Sequence, residues 1–197
     1  METITKGSDN MIVHKRVIFI ACGGLLAILL LGLAFHELYK STGITLLALI
    51  SPVNESKWEH WKMACYPMLI ISTIEYHFVK KDMANYIFAL AMGIVTFELV
   101  TFGLIEFYDS FLGQAHLIVH VTTFLLGGIT GQIVRYTVML STKPNRLWFI
   151  MGILILMVQV FAFSLFTWYP PRVDYFQDSI TKTYGINAYL CWKATNR

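Results

Sequence analysis

The sequence predicts an all-α integral membrane protein, and three observations carry that prediction. The chain has 197 residues, of which 56% are hydrophobic and only 14% charged, whereas a soluble domain carries about 25% charged residues. Its mean hydropathy is +0.60. Five apolar segments, each close to the roughly 20 residues that a bilayer core requires, take up most of its length. That length favours one unit, a single helical bundle over 1–197.

The first span is expected at about 17–36 and is uncharged until its end. It follows His14-Lys15-Arg16, which looks like the basic start of a signal peptide. Its end, Phe35-His36-Glu37-Leu38-Tyr39, offers no small-residue cleavage site, so a retained span is expected. The second runs over about 55–79 and contains Pro67, which removes one backbone hydrogen bond and kinks the helix. The third, about 84–107, contains Glu98, and the fourth, about 111–139, contains His116, His120 and Gln132. The fifth, about 147–169, is stopped by Pro170-Pro171. Between the first two spans, 43–50 is apolar but too short to cross. Such a segment lies in the interface or dips in and returns under cover of protein.

Lys and Arg set the threading. Lys6, Lys15, Arg16, Lys80, Lys81, Arg135, Lys143 and Arg146 all fall on the side of the N-terminus, while the opposite turn holds Glu106 and Asp109. The expectation is a multi-pass protein of the bacterial plasma (inner) membrane, with residues 1–13 cytoplasmic and the C-terminus outside. The tail, 170–197, carries Phe176, Ile180, Ile186, Tyr189 and Trp192, too apolar for a loose end, so it is expected to fold back as an extracytoplasmic lid. No basic tract with interleaved aromatics is present, which argues against nucleic acid and leaves the bilayer and a lipid or small-molecule ligand as partners. Cys22, Cys65 and Cys191 have no CxxC spacing, and the first two read as small hydrophobes within apolar runs.

Polar chemistry concentrates in Ser51-Pro-Val-Asn-Glu-Ser-Lys-Trp-Glu-His-Trp-Lys62. Ser51 followed by Pro52 reads as a helix start, and Ser56 with Glu59 three residues on reads as a capping box. Trp58 and Trp61 suit the interfacial belt. Glu55 and Glu59 share one helical face, and Glu59 and Lys62 are spaced to pair. Asn54, Glu55, Glu59, His60 and Lys62, together with Glu98, form the candidate polar site. The threading brings His36, Glu55, Glu59, Glu98, His116 and His120 to the outer half, with Glu98 expected to meet a histidine of the fourth span or Lys62. Ionisable groups at such depth default to a functional hypothesis.

Three readings remain open. One is a structural network that fixes helix register or binds a partner subunit. A second is a divalent metal site, zinc or iron, with His36, Glu59, His116 and His120 as ligands. Zinc with an open position would activate water for hydrolysis of a lipid or envelope substrate, although no HExxH signature is present. The third is a transport or proton-relay path continued inward by Glu75, His77, Gln132 and Gln159.

The 51–62 motif, entered by His36-Glu37-Leu38-Tyr39 and followed by Pro67 and Ile74-Glu75-Tyr76, resembles a family of small bacterial membrane proteins of unknown function. Its members share a V-N-E-S-x-W-E-H-x-K motif and a Pro-Pro, Tyr-Gly-Ile tail, matched here by Tyr169-Pro170-Pro171, Asp178 and Tyr184-Gly185-Ile186. The resemblance covers most of the chain from Phe35 onward and brings no activity. It implies an Asp near the start of the fourth span, where this chain has His120.

Overall fold

The computed structural model describes residues 2–79, 84–113, 116–141 and 143–195, with the backbone alone for 2–17, 79, 141 and 192. Lys80 and Lys81, and the side chains of Lys6, Lys15, Arg16 and Trp192, lie outside the described residues. Within these bounds the protein is all-helical: α1 (Glu2–Thr42), α2 (Lys57–His60), α3 (Lys62–Val79), α4 (Tyr86–Leu112), α5 (Leu117–Ser141), α6 (Arg146–Trp168) and α7 (Gly185–Thr195). Four stretches are long and apolar enough to cross a membrane: Ile18–Thr42, Tyr86–Leu112, Leu117–Leu140 and Arg146–Trp168. They make a multi-pass membrane protein.

The boundaries differ from the expected ones for physical reasons. The second expected span is broken at Trp61 into the single turn α2 and the 18-residue α3. The α3 sequence falls short of the apolar content of the other four because Lys62 and Glu75 lie within it, and both are buried against other helices. The third span continues through its expected acidic turn to Leu112, because Lys57 reaches across to Glu106 at 2.6 Å and Asp109 at 2.7 Å and offsets their charge. The 43–50 segment holds a short 3-10 helix, Thr45–Leu49, whose Ala48 is buried with Tyr39, Val53 and Ile186.

Helix α4 is the hub, packed on α3, α5 and α6, while α1 packs on α3 and α5. Ile28, Phe35, Ala64, Met68, Leu90, Ile94, Phe97 and Phe163 fill the space between α1, α3, α4 and α6. Helices α4 and α5 meet over small residues: a Cβ at Gly131 would lie 2.7 Å from the Gly93 carbonyl oxygen, and one at Gly127 would lie 2.7 Å from that of Phe97. Close backbone approach of this kind is how helices associate in lipid, where there is no hydrophobic drive between them. Gly131→Ala is expected to cost about 1–3 kcal/mol through overpacking, read as a lower midpoint of reversible unfolding in detergent.

Candidate functional site

The 51–62 motif takes its shape from local side-chain to backbone bonds. Asn54 Oδ1 accepts from the Ser56 amide at 3.0 Å, and Ser56 Oγ accepts from the Glu59 amide at 3.3 Å, which starts α2. Ser56 is therefore the expected N-cap. Ser51 is not: its hydroxyl donates to the Phe35 carbonyl at 2.6 Å and accepts from the Tyr39 amide at 3.0 Å, so it inserts into the hydrogen-bond ladder of α1. That insertion locks the loop against the C-terminal end of α1.

The lock brings three ligand-type side chains together. Within the described residues, His36 of α1, Glu55 of the loop and His60 of α2 form a group that could hold a metal ion. His36 Nε2 lies 3.2 Å from His60 Nε2. Glu55 Oε2 lies 3.5 Å from the first and 3.3 Å from the second. The other nitrogen of each ring is committed. His60 Nδ1 donates to the Ser56 carbonyl at 2.7 Å, and His36 Nδ1 donates to the Glu37 carboxylate at 2.6 Å. A bound cation would replace the protons that the two Nε2 atoms offer Glu55 and would receive their lone pairs beside its oxygen. Orientation by a carbonyl or carboxylate behind the ring is the usual second layer of a histidine metal site.

The surroundings suit a cation. Hydrogen bonds from His36 and His60 outweigh desolvation and, with Lys40, hold the Glu55 carboxyl well below the usual carboxylate range. Lys40 takes the other Glu55 oxygen. Glu37 and Glu55 against Lys40 leave one net negative charge (−2 + 1 = −1) from these three side chains. The three side chains are 29%, 25% and 25% exposed, which leaves an approach from outside.

Other expected site residues fall elsewhere. Glu59 and Lys62 form the anticipated pair at 2.6 Å, but it is sealed: Lys62 also donates to the Ala48 carbonyl at 2.8 Å and to Thr167 Oγ1 at 2.6 Å, and Glu59 accepts from the Val53 amide at 3.0 Å. Glu98 of α4 is 1% exposed and bonds Gln159 of α6, not a histidine of the next span or Lys62. Glu75 of α3 pairs with Arg135 of α5, which also reaches Ser72. His116 and His120 stand exposed at the start of α5, outside the His36–Glu55–His60 group. His77 is exposed, and Gln132 bonds the Ala21 carbonyl of α1 at 3.3 Å. Trp58 and Trp61 are half-buried and pack among Phe102, Phe163, Phe166 and Phe176.

The tail lies against the motif. The Glu55 amide donates to Asp178 Oδ2 at 3.1 Å, Trp61 Nε1 donates to the Tyr175 hydroxyl at 2.7 Å, and Ile186 is fully buried. Gly185, at φ 65°, allows this return; a Cβ there would lie 3.1 Å from the Thr167 carbonyl oxygen. A pocket of about 200 Å³ opens beside Glu55, lined by Lys40, Asn54, Asp178 and Tyr189 among others. The Asn54 Nδ2 amide is buried without a hydrogen-bond partner among the described residues. Lys40 and Thr167 are not among the residues expected at the site, and Asp178 is expected only as part of the tail motif. Each acts across 15 to 123 residues of chain, and no local spacing marks such pairs.

Comparison with known proteins adds one match. A model described as "Family of unknown function (DUF6512)" matches residues 9–186. No curated protein and no solved structure matches the chain.

Proposed function

We propose that this chain, which belongs to the DUF6512 family of unknown function, binds a zinc-class divalent cation at one end of its bundle through His36, Glu55 and His60. One observation carries the reading. The three ligand atoms are 3.2, 3.3 and 3.5 Å apart. Donors sharing a tetrahedral ion at bonds of about 2.0–2.1 Å lie roughly 3.3 Å apart. Two imidazoles and a carboxylate leave a fourth position for water, the ligand count of a catalytic zinc site. Such water is acidic enough at neutral pH to attack an ester or amide. The pocket next to Glu55, with the unpartnered Asn54 amide as a donor to a substrate oxygen, gives that chemistry a place.

The same proposal includes five spans, with α3 as the fifth. At about 1.5 Å per residue its 18 residues reach roughly 27 Å, close to the hydrocarbon thickness. The basic end faces the cytoplasm, so the metal site and the tail lie outside. The Glu98–Gln159 and Glu75–Arg135 pairs each bridge two helices, which suits fixing register more than relaying protons.

The test is metal analysis of purified protein beside His36→Ala, Glu55→Gln and a His116→Ala control. About one equivalent in wild type and in His116→Ala, with loss in the other two, is expected. Substoichiometric metal in wild type, or equal content in all four proteins, would sink the assignment.

A further inference from the structure

A second cavity lies at the opposite end of the bundle and owes nothing to the metal site. It is a groove of about 680 Å³ flanked by α3 and α6, with the start of α4 as its floor. Both flanks are seated firmly. Helix α6 rests directly on α4 at Gly152, where a Cβ would lie 2.7 Å from the Phe88 backbone. Helix α3 is tied to α4 by the Tyr86 hydroxyl, which donates to the Ser72 carbonyl. The two flanks therefore stand apart on a common floor and leave a trough between them.

Chemistry is graded along this trough. Leu69, Ile87, Leu90, Phe149 and Leu156 line its length, and Arg146 stands at its mouth. The turn that carries Arg146 is braced: Asn85 Nδ2 donates to the Lys143 carbonyl at 2.6 Å, Asn85 Oδ1 accepts from the Asn145 amide at 2.8 Å, and Asn145 caps α6 by accepting from the Leu147 amide at 2.8 Å. None of the described lining residues is acidic. From Arg146 to Leu156 is ten residues of helix, or about 15 Å. That is half of a hydrocarbon core of about 30 Å, the depth of one leaflet.

A cation at the headgroup level above an apolar trough one leaflet deep has the polarity and length of a single phospholipid. Basic pockets between membrane helices recognise anionic headgroups in the same way. We propose that this groove is a site for an anionic phospholipid, with its phosphate on Arg146 and one acyl chain between α3 and α6. The guanidinium presents a planar fork of donors to phosphate oxygens, which a lysine would not.

The experiment is native mass spectrometry of the full chain in detergent. The protein is incubated with phosphatidylglycerol or with phosphatidylcholine carrying the same acyl chains. Wild type is expected to retain phosphatidylglycerol about fivefold more, the preference that one cation near a membrane surface supplies. Arg146→Gln changes only an exposed side chain and is expected to bring phosphatidylglycerol down to the phosphatidylcholine level. Ile87→Trp fills the trough with Arg146 intact and is expected to lower retention of both lipids. Equal retention of the two lipids by wild type, or phosphatidylglycerol retention unchanged in both variants, overturns the proposal.

Discussion

Replacing Lys62 with Met is expected to lower folding stability by about 3–5 kcal/mol, the usual cost of leaving one member of a buried ion pair alone. The ammonium is fully buried, and its three protons are matched by Glu59, Thr167 and the Ala48 carbonyl. Without it, the Glu59 carboxylate keeps only the Val53 amide and the Thr167 hydroxyl in a site closed to water. The double variant Glu59→Leu/Lys62→Met removes both charges and is expected to recover most of the loss, since apolar replacement of a whole buried pair is often neutral. Reversible unfolding in mixed detergent measures both. A single variant within about 1 kcal/mol of wild type would show that the pair contributes little. The effect should reach the proposed metal site as well. Lys62 and Glu59 hold the backbone of Ala48 and Val53, on the same loop that places Glu55 beside the histidines.

How much of this was legible follows from the range of the forces involved. Apolar runs are local, so the membrane class and four of the helices could be read directly from composition. Helix α3 was read within the second expected span, 55–79, but the burial of Lys62 and Glu75 against other helices was not, because it rests on Thr167 and Arg135, which local composition does not reveal. The end of α4 was misplaced for a similar reason: Glu106 and Asp109 look like a turn until Lys57 is seen across from them. Capping at Ser56 is a three-residue interaction and was legible, whereas the role of Ser51 depends on α1 lying 12 to 16 residues back. The site divides along the same line. His36, Glu55 and His60 were all among the candidates, but so were Glu59, His116 and His120. Only the return of the loop onto α1 separates the converging residues from the others. Glu98 was singled out for its depth, yet its partner, Gln159, lies 61 residues away on α6, beyond any helical spacing rule.

Chelation should expose that convergence as stability. The three proposed ligands come from α1, from the loop and from α2, and no spacing along an unfolded chain would hold them within 4.8 Å of one another. A cation that binds the folded state alone stabilises it by about 2.7 kcal/mol at a concentration one hundred times its dissociation constant. For a chain of this length that corresponds to a thermal midpoint shift of about 5–10 °C. Wild-type protein is therefore expected to melt earlier in excess chelator and to recover on readdition of zinc. His36→Ala and Glu55→Gln should melt at one temperature with or without chelator, and His116→Ala should respond like wild type. The two ligand variants act on different elements, so a shared insensitivity would place one ion between α1 and the loop. A chelator response that persists in both would locate the stabilising metal elsewhere, and equal melting of wild type in chelator and in zinc would remove it. Lys62→Met adds a further comparison. If the sealed Glu59–Lys62 pair serves to position the Glu55 loop, this variant should lose part of the zinc-dependent shift as well as basal stability, although Lys62 is not one of the proposed ligands.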